Sequence, residues 1–103
     1  MRPIAIYMIF RLSTAYGSSN DTVAHSIVLL DRMIAKASPL PDMVTTAVAC
    51  FLLAAKMQET QHPSLQDLAD LAFCTASQVR DAEINVLETL EWDINVALKP
   101  LSA

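Results

Sequence analysis

The sequence predicts an all-α domain of five helices, with the third in chain order buried at the centre of the other four. Three observations lead there. Residues 47–55 carry no polar side chain other than the Cys50 thiol, and Ala and Leu dominate the run, which favours a helix over a buried strand. A segment apolar on every side belongs in the middle of a domain, and apolar residues recur at helical spacing on both sides of it. The chain is 53% hydrophobic and 17% charged and has a single glycine, which suits a helical protein and leaves too few glycine turns for an all-β one.

Each element follows in order. Residues 1–16 place Ile4, Met8 and Leu12 at i, i+4 and i+8, with Ala5, Ile9 and Ala15 alongside; Pro3 is acceptable only in the first turn, where its missing N–H has no partner to lose. Arg2 and Arg11 bracket this stretch, so it reads as an amphipathic helix and not as a signal peptide. Gly17 suits a left-handed helix cap. A second helix begins near Asn20 or Asp21 and carries Val23, Ile27, Leu30 and Ile34 on one face, with His25 expected as a solvated side chain or a neighbour of the cap. The prolines at 39 and 41 make an elbow into the central helix, residues 42–59, because the residue before a proline is pushed out of the helical region. Met43, Val44, Thr45 and Thr46 extend the apolar run backwards, and Lys56, Gln58 and Glu59 close it. It is well short of the ~20 residues that span a bilayer, so no membrane partner is expected.

Beyond Pro63, Ser64 and Asp67 form a variant capping box ahead of a short helix with Leu65, Leu68 and Leu71 on its buried edge. Thr75 and Gln78 form a second capping box and open a last helix, to about residue 91, whose apolar positions are Val79, Ala82, Val86 and Leu90, with Leu87 beside them. Trp92 and Ile94 are expected to fold back onto the bundle, and residues 96–103 read as a tail to a single domain over 1–95.

Several function classes are excluded on chemistry. The net charge of −4 offers no basic field to a phosphate backbone, so no nucleic acid partner is expected. His25, His62, Cys50 and Cys74 share no metal-ligand spacing, the one glycine cannot build a phosphate loop, and the carboxylates of Glu83, Glu88 and Glu91 are spread round a helix. No catalytic residue, metal or cofactor is expected, and the chain does not read as an enzyme. Two cysteines, one within the apolar run, fit thiols in a reducing compartment.

Four segments together resemble the N-terminal cyclin box. MRPIAIYM at the start is similar to the family's M-R-A-I-L-x-x-W; LLDRMI, residues 29–34, is placed like I-D-R-F-L; FLLAAKMQE, residues 51–59, resembles L-L-A-S-K-F-E-E; and EINVLETLEWDI, residues 83–94, follows at the family's distance. The resemblance implies a five-helix cyclin box and a regulatory subunit that binds a cyclin-dependent protein kinase, steadies the inward position of its αC helix, and does no chemistry itself. It also implies a role in cell-cycle control and a nuclear or cytoplasmic location. The alternatives are a module that binds a kinase without activating it, and a transcription-factor-like use of the fold.

The resemblance also assigns residues. Lys56 and Glu83 match the charged pair that cyclins present to the kinase, with Leu53, Met57 and Leu87 at apolar contact positions. Both charges are expected at exposed positions, so that reversing either leaves the fold intact. Arg2 and Asp31 match an internal ion pair between the first two helices. Ile4, Ala5 and Met8 occupy the family's substrate-docking patch, here degenerate: Ala5 and Met8 stand where the family has Leu and Trp, and Arg11 replaces an acidic residue. Full cyclins have a second box and a preceding helix, so the chain reads as a fragment, a truncated product or a single-box cyclin.

Overall fold

The computed structural model describes residues 2–37, 43–58, 64–72 and 74–90, without the side chains of Arg2, Pro3, Ala37, Leu65, Leu71 and Ala72. Its elements are α1 (Arg2–Tyr16), α2 (Asn20–Ala37), α3 (Met43–Gln58), α4 (Leu65–Ala72) and α5 (Ala76–Thr89), with no strand among the described residues. The expectations for Trp92, Ile94 and the tail from 96 lie outside the described residues.

Helix α3 is the centre. Every residue from 45 to 55 is buried, and α1, α2, α4 and α5 all pack against it, α2 most extensively and α5 next. Small side chains at Ala47, Ala49, Ala54 and Ala55, all at zero exposure, let neighbours approach closely, while Phe51, Leu52 and Val48 fill the spaces between them.

The helix ends follow the chain's local chemistry. At the end of α1, Gly17 adopts φ +62° and the Ser18 N–H donates to the Ser13 carbonyl at 3.0 Å, the long bond of a Schellman cap. Ser19 caps α2, its Oγ accepting from the Thr22 N–H at 3.3 Å. Ser64 Oγ accepts from the Asp67 N–H at 3.1 Å. Thr75 and Gln78 form the full reciprocal capping box, with the Gln78 N–H donating to Thr75 Oγ1 at 3.1 Å and the Thr75 N–H to Gln78 Oε1 at 2.8 Å.

Two helix faces differ from the spacing argument. On α1 the core stripe is Ala5, Ile9 and Leu12, all fully buried, whereas Ile4 is 51% exposed, Met8 is partly buried and Ala15 is exposed. Apolar residues run round α1 on all sides, Tyr7 and Phe10 included, so periodicity alone does not set which of them turn inward. On α2 the buried face is Thr22, Ser26, Leu29, Leu30 and Met33, with Val23, while Ile27 and Ile34 are only partly buried. The small hydroxyl residues lie inward because their polar atoms are satisfied locally: Ser26 Oγ donates to the Thr22 carbonyl at 2.7 Å, and the Ser19 and Thr22 hydroxyls lie 3.2 Å apart.

His25 is also a correction. It is fully buried, not solvated, and the Gln58 side-chain amide at the end of α3 donates to its Nδ1 at 3.1 Å. A polar ring can enter the α2–α3 contact because Gln58 reaches back to meet it.

Candidate partner-binding site at the end of α3

Two helices build the site. The apolar run of α3 ends at Ala55, and Lys56 is the first exposed side chain after it. Glu83 stands on α5 between Val79 and Val86, both fully buried. The capping box at Thr75 fixes where α5 begins, and the i, i+4, i+7 spacing of Val79, Glu83 and Val86 then turns the carboxylate toward the hub. Lys56 Nζ donates to Glu83 Oε2 at 2.7 Å, the short distance of a charge-assisted bond. The side chains are 41% and 11% exposed respectively.

The structure thus brings together the two charges singled out from the sequence, but Glu83 is buried and not on an exposed turn. The stripe Val79–Glu83–Val86–Leu90 carried that signal. Around the pair, Met57 is 43% exposed and Leu87 partly buried. Leu53, expected as a contact residue, is only 4% exposed and belongs to the core, because the all-round burial of α3 extends to Ala55. Ile84, next to Glu83 and 44% exposed, was not singled out; exposed apolar side chains carry no periodic signature.

The residues expected to form a docking patch are divided. Ile4 is exposed and Met8 partly buried, but Ala5 lies in the core at zero exposure, where the α1 stripe meets α3. Tyr7 and Phe10, exposed by 66% and 51%, together with Arg11, Thr14 and Ala15, line a shallow depression further along α1. The expected Arg2–Asp31 pair lies outside the described side chains, since that of Arg2 is among those left out; Asp31 is exposed on α2.

Burial pushes the Cys50 thiol up to about 12, away from the reactive thiolate form, and among the described residues no three His, Cys, Asp or Glu side chains are grouped to hold a metal ion. No described helix is long and apolar enough to cross a membrane.

Comparison with known proteins gives the family. The sequence model described as "Cyclin, N-terminal domain" matches residues 1–95. Cyclin-D3-1 of Arabidopsis thaliana is 33% identical over 109 residues, covering 98% of this chain and 28% of the relative. The G2/mitotic-specific cyclin-B of Dictyostelium discoideum is 27% identical over 94% of the chain and 23% of its own length. For the G2/mitotic-specific cyclin S13-7 of Glycine max the figures are 29%, 93% and 38%. The chain therefore spans well under half the length of these relatives. Matched over nearly its whole length, and folded as five helices round a buried third, the chain belongs to the cyclin family through its N-terminal domain.

Proposed function

We propose that the chain is a cell-cycle regulatory subunit that docks on a cyclin-dependent protein kinase through the end of α3 and the adjoining face of α5, acting in the nucleus or cytoplasm. The observation that carries the reading is the Lys56–Glu83 pair, held at 2.7 Å beside exposed Met57 and Ile84. Exposed apolar side chains such as Met are enriched at the core of a protein interface, and a charge pair fixed beside them supplies register and specificity toward a partner. Binding energy spent on one position of the kinase αC helix shifts the kinase toward its active state without any chemistry by this chain. The chain's acidic net charge supports a protein partner over nucleic acid. On α1, the loss of Ala5 to the core and the presence of Arg11 support reading the substrate-docking patch as degenerate.

The test is a titration of the chain into a cyclin-dependent kinase, with complex formation and phosphorylation both measured, for the parent and for the reciprocal swap Lys56→Glu with Glu83→Lys. The swap keeps two opposite charges together but reverses their order, so a partner that reads them loses its matched groups. The expected loss is about 2–5 kcal/mol of affinity, roughly 30-fold to several-thousand-fold. A parent chain that forms no complex, or a folded swap that binds like the parent, overturns the reading. Binding without phosphorylation selects the non-activating module instead.

A further inference from the structure

The end of α3 is held on a second side. Gln58 lies two residues beyond Lys56, about 200° round the helix, so the two side chains leave it in nearly opposite directions. Lys56 goes to Glu83 on α5, at 2.7 Å, and Gln58 goes to His25 on α2, at 3.1 Å. The amide nitrogen can only donate, so Nδ1 of His25 accepts in this contact. His25 has no solvent exposure, and a fully buried ring is a fixed anchor, whereas Gln58 itself is exposed. Met57, 43% exposed, stands between the two attachments, about 100° from each. The last turn of a helix otherwise frays, because its final four carbonyls lack intrahelical partners.

We propose that His25 is a positioning residue: through Gln58 it clamps the last turn of α3 against α2, opposite the Lys56–Glu83 bridge, and so fixes the direction in which Met57 and Lys56 are presented to a partner. The functional half of this inference rests on the kinase reading; the structural half does not.

Amide hydrogen exchange and kinase affinity of the full chain separate the two halves. His25→Leu fills the ring's space with apolar volume but leaves Gln58 without an acceptor. It should speed exchange of the amides of residues 55–58 by about 2- to 12-fold, the range for one neutral hydrogen bond. Exchange in the middle of α3 and in α5 should stay as in the parent. Gln58→Ala should reproduce the effect without adding to it in the double variant, and His25→Asn, which restores a side-chain acceptor, should recover protection. Unchanged exchange at 55–58, or acceleration spread equally over all helices, overturns the clamp. If the parent binds the kinase, His25→Leu should weaken binding by a similar factor; faster exchange with unchanged affinity overturns the functional half alone. If the parent binds no kinase, the proposed function fails while the exchange data still decide the clamp.

Discussion

Glu83 and Lys56 are unequal partners, and the inequality sets what their substitution does. The carboxylate is 11% exposed and the ammonium's side chain 41%. Removing the lysine leaves a nearly buried carboxylate without its charge-assisted bond; removing the carboxylate leaves an ammonium that can turn to water. Lys56→Ala should therefore cost about 1–3 kcal/mol of stability, and Glu83→Gln, which keeps the shape, less than about 1 kcal/mol. Urea midpoints of the two variants check this, and equal losses would mean that the pair is as solvated on one side as on the other. Glu83→Lys alone sets two ammonium groups against each other in a confined site, which is why the reciprocal swap and not a single reversal tests the interface. Cys50 gives a second effect at this scale. Burial pushes its thiol from an ordinary 9 up to about 12, so the unfolded chain ionises first as pH rises. The thiol's contribution to stability is intact below about pH 9 and is lost progressively towards pH 12, at up to about 1.4 kcal/mol per pH unit. Cys50→Ala should flatten the fall in stability between pH 9 and 11 relative to the parent; parallel curves would show that the thiol is not protected from solvent.

At the scale of elements, stability is concentrated in α3, and that helix was the most legible part of the sequence. A run apolar on every side has one home, so no phase had to be inferred; all of residues 45–55 are buried. Leu52, 1% exposed, should cost about 2–5 kcal/mol when replaced by Ala, through lost transfer energy and the cavity left behind; an unchanged urea midpoint would remove α3 from the centre of the fold. The caps were legible for a similar reason, since each is a local bond between residues a few positions apart. Gly17 sits at φ +62° with nothing within 4 Å of where a Cβ would stand. The cost of Gly17→Ala is therefore backbone strain alone, about 1–2 kcal/mol, and a thermal melt that does not move would contradict the left-handed cap. The faces of α1 and α2 were less legible. Helix α1 is apolar all round, and α2 buries Thr22, Ser26 and His25, whose satisfaction depends on the Ser19 hydroxyl, the Thr22 carbonyl and Gln58. For His25 the partner lies 33 residues away, beyond the reach of any local pattern. In the candidate site, the choice of Lys56 and Glu83 follows from the family resemblance, but their contact at 2.7 Å and the depth of Glu83 depend on how α5 is turned against α3.

Across the whole molecule, net charge and local charge act in opposite directions on one question, whether the α1 surface takes up a basic peptide. The chain carries a formal charge of −4, which attracts a cationic segment from a distance. At contact, the depression on α1 presents Arg11 beside Tyr7 and Phe10, and a like charge at the surface opposes docking. The long-range attraction is screened beyond about 8 Å at physiological ionic strength, whereas the contact with Arg11 is not. An Arg-x-Leu peptide should therefore associate weakly at low salt and show no micromolar binding in a calorimeter at physiological salt. Arg11 is exposed, so Arg11→Glu should change stability by no more than about 0.5 kcal/mol. It should raise peptide affinity by roughly threefold to tenfold, corresponding to about 1 kcal/mol of altered surface electrostatics. Micromolar binding by the parent at physiological salt would show that the exposed rings of Tyr7 and Phe10 supply a working groove despite the arginine. An Arg11→Glu variant no better than the parent would place the obstacle in the shape left by Ala5, which is packed into the core, and not in the charge.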